Sequence, residues 1–573
     1  MGQRLIKSFV SIFVSLFIFC NLAWAQNVPG QAKAGVVEKD LGEEKQPRQE
    51  PKEALFKEEK STPDKQELQI PAGSKFVIKN FIFKGNTIFE SAYLAKVVSK
   101  YRNKKLSLSE LNLACDEIVA IYKKKGFFLA QAIIGPQEIV NDSLSIQIIE
   151  GNLGEVRLEG GKFYKKKFLK SHFHATKEGV VNYNSLIKSL LLLNEYPNLK
   201  LRASLEKGKT PSTVDIVIKA DDKLPLRYSF DYNNFGSKYV SKYRSGVGVE
   251  YSNLAIAGDK VNMRGVAGSP MRNLGYANFE YSAPINSYDT KINYAYTWSR
   301  FDTQREFRKL DSGGLSEIYS FYFSHPLSRT LSSSLDTRLG YDYKSIKNYL
   351  LGSTSSNDQL RIVNGGFNGD INDSLFSQRF TARNFYTMML YGGLKKIDPD
   401  QRSRVGADGH YVKTNIDVAR YQRFIWDTSI LLKGSFQMAS DDLPVSEQIA
   451  IGGADSVRGF SVAERLGDYG RVANFEFRTP TPFIGKYKIP LLNKKLRDFM
   501  QIVGFVDYGI AYLKNTQPGE IKRRELVGAG FGLRFDLGYS SDFRIDLGFP
   551  VKGKNESTTS GDAVVYLQGT KRF

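Results

Sequence analysis

Arg458 stands among small residues in the stretch Gly452-Gly453-Ala454-Asp455-Ser456-Val457-Arg458-Gly459-Phe460, and 47 residues beyond it begins Phe505-Val506-Asp507-Tyr508-Gly509. The chemistry these residue types offer is ionic rather than covalent. A guanidinium carries five N–H donors in a rigid fork that matches a carboxylate, so an arginine on a glycine-flanked loop and an aspartate on a strand can form a bidentate pair. Gly459 and Gly509 keep side-chain bulk out of that approach. Val506, Tyr508, Ile510 and Tyr512 share one parity of their strand, while Phe505, Asp507 and Gly509 share the other. If the first set faces lipid, the second faces the interior of a closed sheet. The same residues also suit a solvated surface loop and an unrelated aspartate. Reaction chemistry finds less support, since neither a G-x-S-x-G elbow nor a G-x-x-x-x-G-K-[ST] phosphate loop occurs. His172 and His174 read as strand or loop surface rather than as a zinc site, and His325 and His410 are isolated. No catalysis, metal or cofactor is expected.

The elements that must position Arg458 and Asp507 are amphipathic strands. From about Lys223 to the C-terminus the alternation is repeated: Leu226, Tyr228, Phe230 and Tyr232 alternate with Arg227, Ser229 and Asp231. Ile292, Tyr294, Tyr296 and Trp298 do the same, as do Phe531, Leu533, Phe535 and Leu537 against Arg534 and Asp536, and Phe543, Ile545, Leu547 and Phe549 against Arg544 and Asp546. One face suits lipid and the other water. A soluble β-sandwich also alternates, but it must bury its apolar faces between two sheets. The 31 Tyr and 38 Phe fit the interfacial girdles of a membrane barrel. A recurrence of roughly 20–22 residues per strand and connection predicts about 16 strands.

Export is legible at the N-terminus. Arg4 and Lys7 precede an apolar run from Phe9 to Phe19, and Ala23-Trp24-Ala25 places small residues where a signal peptidase cleaves. The run is too short to span a bilayer, so residues 1–25 read as a signal peptide and the mature chain begins near Gln26. Cys115 is then the sole cysteine, which excludes an intrachain disulfide. The net charge of +21 is spread along the chain and, in an exported protein, suits anionic lipid or a polypeptide in transit better than nucleic acid.

Residues 26–73 read as a linker poor in large apolar residues, with a possible short charged helix from Gln49 to Lys60. Two α+β modules follow. In the first, a strand around Phe76–Phe83 precedes Gly85-Asn86-Thr87, a helix begins near Phe89, and a second starts at Ser107, where Ser107 and Glu110 form a capping box. Its apolar face is Leu111, Cys115, Ile118 and Tyr122, and strands near Leu129–Ile134 and Leu144–Ile148 close the unit. The second module repeats the plan with Val156 and Leu158, helices near Tyr164–Lys170 and Leu186–Leu193, and strands at Leu199/Leu201 and Val214/Ile216/Ile218.

Taken together, these motifs resemble the outer-membrane transporters of two-partner secretion, the TpsB family, relatives of the POTRA-barrel insertases. The resemblance rests on V-R-G-F at Val457–Phe460, F-x-D-x-G at Phe505–Gly509, Gly467-Asp468-Tyr469-Gly470, and the F-x-G-N-T of Phe83–Thr87. Leu193-Asn194-Glu195-Tyr196-Pro197 is similar to the family's L-N-x-x-P. Asp231, Asn234 and Gly236 followed by Asn253–Asp259 are similar to its D-N-x-G and N-x-x-G-x-G-D, with Tyr232-Asn233 and Ala257 departing from the common form. The resemblance implies a membrane all-β barrel of about 16 antiparallel strands preceded by two small α+β POTRA domains, and a plug helix in the linker. It implies the boundaries 74–151 and 152–222 for the POTRA domains and 223–573 for the barrel, with a signature loop at about 450–473. It further implies an outer-membrane pore with POTRA domains in the periplasm, secreting a large exoprotein of the filamentous adhesin or haemolysin class. Partners are then the exoprotein held by the POTRA domains, outer-membrane lipid and lipopolysaccharide, and the barrel assembly machinery. A protein insertase and a passive porin-like barrel are the alternatives, and only two POTRA modules fit here.

Overall fold

The computed structural model describes residues 30–42, 56–57, 75–374, 377, 379–482, 485–490, 493–538, 540–554 and 563–573. The expected signal peptide lies outside the described residues. So does the helix expected across Gln49–Lys60, except at Phe56–Lys57, which is instead a strand lying parallel to Ala203–Ser204. Among the described residues of this region a helix lies upstream, at α1 (Ala34–Gly42). A helix therefore lies within the expected linker of residues 26–73, and the possible helix at Gln49–Lys60 is corrected at Phe56–Lys57 alone. Ala34, Val36, Val37 and Leu41 are small apolar residues with too little bulk to signal a core by themselves, yet all are buried because the barrel wall surrounds them.

The first module contains α2 (Ser91–Val97) and α3 (Leu108–Lys124) on a sheet of Asn80–Lys84, Ser143–Ile149 and Gln131–Ile133. At the start of α3, Ser107 Oγ accepts from the Glu110 N–H at 3.4 Å and the Glu110 carboxylate accepts from the Ser107 N–H at 2.8 Å. This cap holds the first turn, and the face of Leu111, Cys115, Ile118 and Tyr122 is buried against Phe83, Leu144, Ile146 and Ile148. The expected first strand is two, Lys75–Val77 and Asn80–Lys84. The chain breaks there because the Lys79 and Asn80 N–H groups turn to the Asp142 carbonyl, at 2.8 and 3.2 Å, leaving Ile78 as a buried corner.

The second module sets α4 (Lys166–Ser171) and α5 (Tyr183–Leu193) on a six-stranded sheet whose longest members are Leu199–Lys207, Thr213–Asp222 and Asn152–Gly160. It docks on the barrel through Leu193–Pro197: the Tyr196 hydroxyl donates to Asp289 at 2.6 Å and Arg329 Nε to Glu195 at 2.6 Å. His174 joins this contact, with Nε2 at 3.0 Å from the Ser287 carbonyl and its ring stacked on Tyr288.

Sixteen strands, from Leu226–Asn233 to Val564–Arg572, form one closed antiparallel barrel. Closure pairs every strand on both sides, the condition for spanning a hydrocarbon layer with strands. Tyr228, Phe230 and Tyr232, Phe321 and Phe323, and Phe531 and Phe543 are all exposed on the outer face, as the alternation requires. The seam between first and last strands is short, five residue pairs from Ser229–Arg572 to Asn233–Gln568. Two groups extend it. The Asn234 side chain donates to the Val565 carbonyl and accepts from the Leu567 N–H, at 2.9 and 2.7 Å, and Phe573 stacks on Tyr228.

Candidate functional site

The segment between strands Ser429–Ala439 and Tyr469–Pro480 folds back into the barrel, and its tip lies on the inner face of strands Met500–Tyr512, Arg523–Gly538 and Ser541–Lys552. Three glycines make the floor flat enough. A Cβ at Gly528 would strike the Arg458 carbonyl, one at Gly548 would stand 2.6 Å from the Gly459 nitrogen, and one at Gly509 would stand 2.6 Å from Val457 Cγ2. Gly459 has a φ of +97°, and a side chain there would meet the Phe549 backbone.

On this floor the structure brings Arg458 and Asp507 together. Arg458 Nε donates to Asp507 Oδ2 at 2.7 Å and Nη2 donates to Oδ1 at 2.8 Å, a fork-to-carboxylate pair, and the Arg458 backbone N–H adds a third bond at 3.1 Å. Arg458 is 2% exposed and Asp507 0%. The guanidinium lies 3.5 Å above the Phe505 ring, so Phe505 is its platform. Val457 packs with Ile449, Ile451, Val472, Ala511 and Leu526, while Phe460 is buried and its carbonyl accepts from the Tyr566 hydroxyl at 2.6 Å. Every signature residue therefore touches the wall, but the roles differ: Arg458 and Asp507 bind, Phe505 and Phe460 pack, and Gly459 and Gly509 permit contact.

The pair is part of a larger ionic cluster. Arg458 Nη1 donates to Glu476 at 2.6 Å, and Glu476 also receives Arg478 at 2.6 Å. Asp546 receives Arg534 at 2.5 Å and Arg544 at 2.7 Å, and Arg544 reaches Asp455 at 3.0 Å. Four arginines thus meet four carboxylates, Asp455, Glu476, Asp507 and Asp546. Such matching is what lets charge be buried, because an unpaired ion at this depth costs several kcal/mol.

Sequence reasoning missed Glu476 and gave no role to Arg534, Arg544 and Asp546 beyond the inward face of their strands. That inward parity was the signal, since charged residues recur there on consecutive strands. Two further anchors of the same loop, Asp468 and Glu447, lie in motif stretches to which sequence reasoning gave no structural role. Asp468, fully buried, accepts from Arg404 at 2.8 Å, from the Leu443 and Lys514 N–H groups at 2.9 and 2.8 Å, and from Gln448 at 3.0 Å. Glu447 sits between Lys344 at 2.7 Å and Lys413 at 2.6 Å.

α1 rests on this loop as well as on the wall. Gly35 packs on Ser446, Val36 lies with Val445 and Ala463, and Lys39 Nζ donates to the Gln448 carbonyl at 3.4 Å, while Gln31, in the turn before the helix, donates to Glu464 at 3.2 Å. On the wall side the Ala34 N–H donates to Asn348 at 3.0 Å, and Val37 and Leu41 pack with Tyr239, Val266, Tyr276 and Ile346. Lumen, loop and helix form one packed unit held by non-covalent contacts.

Elsewhere, Cys115 is buried in the first module, and burial pushes its thiol up to about 12, which suppresses the reactive thiolate. Among the described residues no group of three His, Cys, Asp or Glu side chains is placed to hold a metal ion.

A closed sixteen-strand barrel with small α+β modules at one rim and an arginine-anchored loop in its lumen defines an outer-membrane pore of the POTRA-barrel class. The chain matches the family described as haemolysin secretion/activation protein ShlB/FhaC/HecB over residues 212–535, and the ShlB-type POTRA domain over residues 76–151. It belongs to that family, whose members are transporters. Among its relatives is the heme/hemopexin transporter protein HuxB of Haemophilus influenzae (strain 86-028NP), 25% identical over 540 residues that cover 91% of this chain and 92% of the relative. Among solved structures, CdiB from Escherichia coli superposes with a TM-score of 0.72 at 18% identity, covering 89% of this chain and 93% of that one. BamA from Haemophilus ducreyi lacking POTRA domains 1–3 gives 0.51 at 14% identity, over 87% of this chain and 100% of the other. These two likenesses concern the fold. Family membership makes the chain an outer-membrane translocation pore for a partner exoprotein in two-partner secretion, with its POTRA region in the periplasm.

Proposed function

We propose that the chain exports an exoprotein of the filamentous adhesin or haemolysin class through its own lumen, and that the loop at about 450–473 and α1 together form the removable closure of that path. The observation that carries this reading is that, among the described residues, α1 and the turn before it are held in the barrel by packing and hydrogen bonds alone, to the wall and to residues 445–464. Such a plug can leave without unfolding the wall. In this scheme residues 74–151 and 152–222 are the capturing modules and residues 223–573 the passage. Val457, Arg458, Gly459 and Phe460 are the loop's docking residues, and Phe505, Asp507 and Gly509 their seat. An extended cargo chain adds to an exposed sheet edge of the modules, where main-chain hydrogen bonds give affinity without demanding a sequence. Residues 1–25 direct the chain out of the cytoplasm, the assembly machinery inserts it, and lipid and lipopolysaccharide surround the aromatic outer face.

Export supplies its own direction if the cargo folds outside, since a folded chain cannot slide back. The test uses cells that express the chain together with a large repeat-rich exoprotein of this class. Deleting residues 30–42 raises single-channel conductance in planar bilayers, and deleting residues 74–222 abolishes export while the barrel still inserts. Unchanged conductance after the first deletion, or normal export after the second, removes that part from the mechanism.

A further inference from the structure

The rim of the barrel that faces the POTRA modules has two unlike halves. Its first three turns receive the second module, through Gly258 against Phe168, Asp289 against Tyr196, and Arg329 against Glu195. The fourth to sixth turns carry no module among the described residues, and described residues at these turns and the adjoining strand ends line an open concavity of about 820 Å³. Four cations line it, Arg379, Arg423, Lys495 and Arg497, against two acids, Asp427 and Asp498.

The cavity opens from the lumen. Arg423 and Tyr421 share the parity of Lys413, which reaches Glu447 inside the barrel. Gln501 shares the parity of Asp507, and Pro480 that of Glu476. Lipid therefore lies on the far side of this wall.

The charge here is not matched. Arg497 stands 3.8 Å from Asp427, while among the described residues the side chains of Arg379, Arg423 and Lys495 make no hydrogen bond or ion pair. This departs from the cluster around Arg458, where four arginines meet four carboxylates. These cations are solvent-exposed, so water and salt screen their repulsion, yet a concavity lined mainly by one sign of charge still raises the local concentration of acidic ligands. Tyr421 and Phe424 give the cavity aromatic surface beside its guanidinium groups.

We propose that this cavity is a receiving site for an acidic segment of the translocating polypeptide, engaged as the chain passes from the modules into the lumen. Glutamate and aspartate carboxylates meet the forks of Arg379, Arg423 and Arg497, and neighbouring apolar residues rest on Phe424 and Tyr421. A receiving site across the mouth from the second module gives the entering chain two points of hold, so that it is drawn over the opening. The proposal rests on the export reading and adds the charge of the segment recognised.

The test is a binding measurement, so that it stands apart from export. The full chain is placed in phosphatidylcholine nanodiscs and titrated with a fluorescein-labelled peptide of alternating Glu and Ser, with an alternating Gln and Ser peptide as comparison. The Glu peptide is expected to bind in a salt-sensitive manner, and the double variant Arg379→Glu/Arg423→Glu to weaken it by about tenfold or more. Arg300→Glu, an exposed cation on the opposite rim, is expected to leave it unchanged. Heat-modifiable migration confirms that each variant is folded. Equal binding of the Gln peptide, or full affinity in the double variant, overturns the proposal. So does displacement of the Glu peptide from the wild type by phosphatidylglycerol, which assigns the cations to a lipid headgroup. Failure of this assay with export intact removes the site and leaves the pore; loss of export in an Asp507 variant with normal peptide binding bears on the loop alone.

Discussion

If the Arg458–Asp507 pair holds the loop in the lumen, removing either partner should free the loop by an amount the geometry sets. Arg458→Ala removes both forked bonds, yet Asp507 keeps Asn474 at 2.8 Å and the backbone N–H of residue 458 at 3.1 Å. Asp507→Ala leaves Arg458 with Glu476 at 2.6 Å and Asp546 at 3.5 Å. Each stranded charge is thus partly compensated, which places each single loss near the lower end of the range for a broken buried pair, about 3 kcal/mol. The two residues touch, so a coupling of about 2 kcal/mol is expected and the double variant should lose about 4 kcal/mol rather than 6. The assay is thiol labelling at Ala454→Cys, a position 6% exposed that becomes reachable when the loop undocks. At about 1.4 kcal/mol per tenfold, each single variant speeds labelling on the order of 10²-fold, and the double variant about 30-fold less than the product of the singles. Arg458→Lys keeps the charge but not the fork, and should fall between wild type and Arg458→Ala. Additive rates, or wild-type labelling in either single variant, would refute the pairing as the anchor.

Three further outcomes follow from other parts of the structure. Gly528→Ala places a methyl group against the Arg458 carbonyl, so it should speed labelling at position 454 and reduce export while the barrel still assembles, measured beside Gly504→Ala, whose Cβ meets nothing within 4 Å. The closed barrel, with every strand paired on both sides, should migrate as a compact species in unheated detergent gels and shift on boiling; identical mobility before and after heating would speak against closure. Cys115, with its thiol pushed up to about 12 by burial, should resist maleimide at pH 8 in the folded protein and react fully after denaturation, and rapid labelling of the native chain would show that the first module opens.

Strand alternation, the helix start at Ser107 and the helix face of the first module were legible because they are local. A period of two residues is set by the pleat of a strand, and a capping box by groups three residues apart, whatever surrounds them. The arginine and aspartate were legible as chemistry, since glycine neighbours and inward parity narrowed what such residues do. Which groups share their charge was not. Glu476 lies 58 residues before Arg534 in the chain, and only the assembled sheet with the loop folded onto it places Arg458 between Glu476, at 2.6 Å, and Asp546, at 3.5 Å, beside Arg534 and Arg544.

The helix in the lumen shows the same division more sharply. Residues 34–42 carry Val36, Val37 and Leu41 but no broad apolar face, so their sequence reads as solvated linker. Burial came from an enclosing wall, with Ser446, Asn348 and Gln448 supplying contacts from hundreds of residues away. Taken alone, the amino-acid sequence determined the barrel, the modules and the identity of the pairing residues, because periodicity and residue type act over a few positions. Tertiary structure decided what fills the lumen and how its charges are matched, because Coulomb energy and burial depend on distance in space and not on distance along the chain.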